Sequence, residues 1–105
     1  MTTHGNSTKF EDFVSEVEAN STPEERRDLE EARARFRVGG QLLRHRLSAG
    51  LTQSQLAEVS GVAQADISRI ERGQANPTTD TLEALCEPLG VRMSLVAAGS
   101  ASGEE

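Results

Sequence analysis

The sequence predicts an all-α fold closed by one short strand, and three observations carry that prediction. Apolar residues recur three and four positions apart along most of the chain, the period of helices with one buried side. Threonines able to cap helix starts stand at Thr8, Thr22, Thr52 and Thr78 or Thr79, and glycines able to end helices stand at Gly50, Gly73 and Gly90. Only residues 91–96 (VRMSLV) alternate with the period of a strand.

Taken in order, residues 1–7 are polar and read as disordered. Thr8 and Glu11 have the form of a capping box. Phe10, Phe13, Val14 and Val17 then follow at i, i+3, i+4 and i+7, one apolar stripe. Thr22, Pro23 and Glu25 open a second helix: a cap, a proline at the first helical position and a Glu at the third. Its stripe runs through Leu29, Ala32, Phe36, Leu43 and Leu47, straight past Gly39 and Gly40. Two interior glycines cost about 2 kcal/mol of helix stability. The stretch is therefore one long helix, bent there and ending at Gly50, or two helices broken at the glycines. Thr52 caps the next helix, and a last one from Thr78 or Thr79 turns Leu82, Leu85 and Cys86 inward before Pro88 and Gly90 stop it. Cys86 reads as a small core residue, since nothing cationic sits at helical spacing beside it. The 91–96 strand would need a partner, and the natural one is the same strand of a second subunit. The organisation expected is an acidic helical arm over 1–34, a helical domain over 35–90, a dimerisation strand over 91–96 and a flexible tail over 97–105.

The centre of the chain is the stretch QSQLAEVSGVAQADISRIER, from Gln53 to Arg72. It reads as two short helices joined by a tight turn at Gly61. Leu56, Ala57 and Val59 give the first helix an apolar side, and Val62, Ile67 and Ile70 do so for the second. The small Ala57 and the absent Cβ at Gly61 are expected to let the two helices approach closely. At about 100° per residue, Gln64, Ala65, Ser68, Arg69 and Arg72 fall on the opposite side of the second helix. Amides, a hydroxyl, guanidinium groups and a methyl are the groups that read base edges in a major groove.

The run GLTQSQLAEVSGVAQADISRIERGQANPTTDTLEALCEPLGV resembles the Cro/XRE helix-turn-helix family of DNA-binding regulators. The resemblance covers roughly residues 38–91. It rests on the small residue, the turn glycine, the inward isoleucines, R-I-E-R-G and N-P-T-x-x-T-L, all in register. It implies a lambda-repressor-like domain that binds double-stranded operator DNA. Gln64, Ala65, Ser68 and Arg69 match positions that usually face the groove, with Gln64 suited to adenine and Arg69 to guanine. Gln53 matches a phosphate-contacting position, and Asn76 and Thr78 would touch the backbone from the following loop. Arg44 or Arg72 would add charge. Arg46 and Glu71 match a salt bridge that ties the first domain helix to the second helix of the motif. Ala63 departs from the family's usual Ser or Thr cap. Asp66 is an awkward residue to place beside DNA.

Composition sets limits on function. At 105 residues, with 35% hydrophobic residues and neither Trp nor Tyr, this is one small domain with a modest core, of a kind that often gains stability by dimerising. No stretch has the length of a membrane span and no apolar signal region opens the chain, so a cytoplasmic protein is expected. A single cysteine rules out an internal disulfide and fits a reducing compartment. His4 and His45 lack ligand-spaced neighbours, so no metal is expected. No catalytic constellation and no cofactor motif is visible. The net charge of −6 is uneven. Residues 35–96 carry seven arginines against six acids, whereas residues 1–34 carry four basic groups against nine acids. A near-neutral core implies few phosphate contacts per subunit, hence weak DNA binding unless dimeric.

The layout of acidic arm, helix-turn-helix and short strand resembles HigA-type antitoxins. That resemblance implies autorepression and neutralisation of a basic, RelE-like toxin, with Phe10, Phe13, Val14 and Val17 as partner-binding anchors. The alternatives are a stand-alone regulator of the same family, whose arm completes the core, and an interaction module without DNA binding. Retained Gln64 and Arg69 argue against the last.

Overall fold

The computed structural model describes residues 20–98, which form four helices. They are α1 (Pro23–Ser48), α2 (Gln53–Ser60), α3 (Gln64–Glu71) and α4 (Thr79–Leu89). The Thr8 cap, the Phe10–Val17 stripe and tail residues 99–105 lie outside the described residues.

Helix α1 opens as a full capping box: Thr22 accepts from the Glu25 amide, and the Glu25 carboxylate accepts from the Thr22 amide. It then runs unbroken for 26 residues through Gly39 and Gly40. Gly39 is buried because the backbone of α3 lies against it. A Cβ there would come 2.2 Å from the carbonyl oxygen of Ile70. The glycine that weakens the helix locally is what lets α1 and α3 touch backbone to backbone. The boundary expected at 34–35 falls within this continuous helix.

The inward side of α1 is Gly39, Leu42 and Arg46. Leu47, expected in the core, is 60% exposed. The stripe drawn through Leu43 and Leu47 is displaced, because an arginine occupies the core-facing position at 46 and hides the true register. Val59 is likewise exposed rather than inward. Phe36 is partly exposed and stacks against Gly73, where a Cβ would meet its ring at 2.9 Å.

Leu42, Leu56, Ile67, Ile70 and Leu85 form the core, with Leu51, Ala57, Val62, Ala75 and Leu89 packed around it. Each helix contributes at least one of the five. Helix α1 packs on α3, and α2 packs on both α3 and α4. Helix α4 starts at the Thr78 cap and ends at Gly90 in the left-handed conformation. Cys86 is half-buried, and burial, aided by the Glu83 carboxylate, pushes its thiol up, which favours the protonated form.

Residues 91–96 do not form the expected strand. They run irregularly, with Leu95 and Val96 exposed. The alternating pattern is present, but a strand exists only through hydrogen bonds to a neighbour, and among the described residues no strand stands beside this segment.

Candidate nucleic-acid interface

Helices α2 and α3 are set against each other by a three-residue turn. Gly61 closes α2 in the left-handed conformation, with φ 79°, and its amide donates to the Ala57 carbonyl. The space around Gly61 is open, with no atom close to where a Cβ would lie. Glycine is there for its backbone angle, and the expectation of a close helix approach at this residue is corrected. Ala63 begins α3 with no side-chain cap, as its methyl dictates. The buried Ile67 and Ile70 fix which side of α3 turns inward.

The rest of that inward orientation comes from an ion pair. Arg46 donates through Nε to Glu71 Oε2 at 2.7 Å and through Nη2 to Oε1 at 2.9 Å, a two-pronged contact. The side chains are 10% and 4% exposed. A third donation, from Arg46 Nη1 to the Leu51 carbonyl at 2.8 Å, holds the turn before α2. One guanidinium therefore joins the end of α1, the entry to α2 and the end of α3. Burial pushes the Glu71 carboxyl up, but hydrogen bonds from Arg46 and Gln53 and the Arg46 charge outweigh it, and the group titrates below its ordinary value. The bond to Glu71 raises Arg46 against a smaller opposing effect of burial.

The outer side of α3 is open, and its polar side chains are already bonded to one another. Gln64 is exposed, with Oε1 accepting from Ser54 Oγ at 3.3 Å and Nε2 at 3.5 Å from Gln53 Oε1. Ala65 is exposed one position on. Ser68 Oγ accepts from Arg72 Nη1 at 2.6 Å, and Arg72 Nε reaches Gln74 Oε1 at 3.3 Å. Arg69 Nη2 lies 2.6 Å from Asp66 Oδ1. Thus Gln64, Ala65, Ser68 and Arg69 share one accessible face.

The three residues matched to phosphate contacts are not grouped in this way. Gln53 is half-buried and donates through Nε2 to Glu71 Oε1 at 2.9 Å. Its side chain links the buried ion pair to Gln64, a role the sequence pattern did not reveal. Thr78 is occupied as the cap of α4, accepting from the Thr81 amide at 3.1 Å. Asn76 is exposed in the loop between α3 and α4. It borders a groove that also takes in Val38, Ile70, Pro77 and Leu82. Among the described residues no cluster of His, Cys, Asp or Glu could hold a metal ion, and no helix is long and apolar enough to cross a membrane.

Two short helices joined by a left-handed glycine turn, the second with an open polar face, are the architecture of a helix-turn-helix. The helix-turn-helix family model matches residues 42–96, and the chain belongs to that family. An uncharacterized HTH-type transcriptional regulator of Haemophilus influenzae is 41% identical over 69 residues, covering 66% of this chain and 70% of the relative. A second such regulator, from Sinorhizobium fredii, is 44% identical over 54 residues, 51% of this chain and 70% of the relative. The immunity repressor protein of Bacillus phage phi105 is 37% identical over 59 residues, 56% of this chain but only 41% of the repressor. No solved structure matches the chain.

Proposed function

We propose that this chain is a sequence-specific DNA-binding regulator of transcription that represses from an operator as a homodimer. The carrying observation is the face of α3. Ile67, Ile70 and the Glu71 ion pair lock one side, leaving Gln64, Ala65, Ser68 and Arg69 together on the other. Gln64 suits adenine and Arg69 suits guanine. Gln53 and the N-terminus of α2, with Asn76 and Thr78 beyond α3, are the proposed backbone contacts. The names of the two bacterial regulators and the phage repressor support the reading. Few cations per subunit favour two subunits on two half-sites about one helical turn apart. Exposed Leu95 and Val96 supply apolar surface that a second copy would cover.

A finer reading makes the regulator an antitoxin, with the acidic residues before Ala34 and the stripe of Phe10, Phe13, Val14 and Val17 docking on a basic, RNA-cleaving toxin. Nine acids against four basic groups in residues 1–34 support it. The continuity of α1 through the arm boundary favours the alternative, a stand-alone regulator whose arm completes its own domain.

Gel-shift titration against the chain's own promoter tests the main reading. Gln64→Ala and Arg69→Ala should each weaken specific binding by about 1–3 kcal/mol, and a single half-site should bind far more weakly than the pair. Unchanged affinity and sequence preference in both variants would sink it. The finer reading adds one arm: a small basic protein encoded beside this gene should be captured by the full chain and lost on deleting residues 1–20. A neighbour that is not captured leaves the stand-alone regulator.

A further inference from the structure

Asp66 is a carboxylate on the one helix whose face is offered to a polyanion. It stands in the first turn of α3, about half exposed, and its Oδ1 lies 2.6 Å from Arg69 Nη2. Duplex DNA carries one negative charge per ~1.7 Å of axis, so an acid here opposes every approach to DNA, whatever the sequence. The neighbouring side chains do not neutralise it in common. Arg72 is turned to Ser68 and Gln74, and Arg46 is buried with Glu71. Asp66 is bonded to Arg69 specifically.

We propose that Asp66 is a specificity-determining residue: by tethering Arg69 it keeps that guanidinium a reader of guanine and withholds it from the phosphates. The inference rests on the DNA-binding reading of the same face. A guanidinium has five N–H donors in a fixed plane. Donating one to Asp66 leaves four, and a two-pronged contact to guanine O6 and N7 uses only two. The tether and the base contact are therefore compatible, and the tether sets the plane beforehand. Swinging Arg69 to a phosphate is different. A phosphate that Arg69 can reach only by turning away from Asp66 takes away the 2.6 Å contact and leaves the carboxylate unpaired beside the backbone. Asp66 thus penalises the sequence-independent mode while sparing the sequence-dependent one, a repulsive element that raises discrimination by lowering affinity for wrong sites.

The test is fluorescence anisotropy on a duplex of the native promoter and on a shuffled duplex of equal length, each over a range of salt. Wild type, Asp66→Ala, Asp66→Asn, Arg69→Ala and the Asp66→Ala/Arg69→Ala pair are compared. Asp66→Ala should bind the shuffled duplex more tightly, with a salt slope steeper by about one, the mark of one gained phosphate contact. The ratio of native to shuffled affinity should fall about tenfold, inside the range a single two-pronged base contact supplies. Asp66→Asn, which keeps an acceptor oxygen, should fall between. The gain on shuffled DNA should shrink when Arg69 is absent. A gain undiminished without Arg69 would show simple repulsion and overturn the tether. An unchanged ratio and slope in Asp66→Ala would overturn it too. So would loss of native affinity with no gain on shuffled DNA, which would make Asp66 itself a base reader. A wild type that does not distinguish the two duplexes defeats the DNA-binding reading instead.

Discussion

Two arginine–carboxylate pairs brace α3, and they differ in almost everything except their chemistry. Arg46–Glu71 joins residues 25 apart in sequence, uses two prongs, and lies out of water at 10% and 4% exposure. Arg69–Asp66 joins residues three apart on one helix, uses one prong, and stands at 51% and 48% exposure. Sequence separation and burial decide what each can do. The first pair fixes the chain's tertiary arrangement, because neither charge has water to fall back on. The second can open and close at little expense to the fold.

The largest effect that would break this contrast is on stability. Glu71→Ala strands the Arg46 guanidinium in the interior and should destabilise the domain by about 3–5 kcal/mol, measured by urea unfolding. Acid should draw on the same source. Glu71 titrates below its ordinary value in the folded chain, so its contribution is complete above the unfolded carboxyl value, near pH 4.3, and is lost as pH falls through the lower folded value. Wild type should therefore lose stability over that acid window more steeply than Glu71→Gln does. A flat comparison would remove Glu71 as the source. The smallest effect belongs to the exposed pair. Asp66→Ala should change stability by no more than about 1 kcal/mol after allowance for solvent screening. A loss as large as that of Glu71→Ala would erase the distinction between the two pairs.

The same contrast explains how far the sequence could be read. Local signals were legible because they are local: the Thr22–Glu25 box, the Thr52 cap, the left-handed Gly61 and the missing cap at Ala63 each involve residues within a few positions. Periodicity gave the isoleucines of α3, where every inward residue is apolar or acidic in a recognisable motif. It misjudged α1, where Arg46 takes a core position and Leu47 does not. The bond from Gln53 to Glu71 spans 18 residues, and nothing in the pattern around Gln53 announces it. The strand over 91–96 failed for a related reason, since alternation describes a strand's faces but not the neighbour it needs.

Gly39 carries a mechanical consequence. Helix α1 is a rod of 26 residues, about 39 Å long at 1.5 Å per residue. It bears on the last turn of α3 through bare backbone at Gly39, with no side chain between to cushion the contact. Sixteen residues of rod lie on the N-terminal side of that fulcrum, and the Arg46 bolt lies two turns beyond it. A load placed near Pro23 therefore has a long lever arm over the contact between Gly39 and the end of α3.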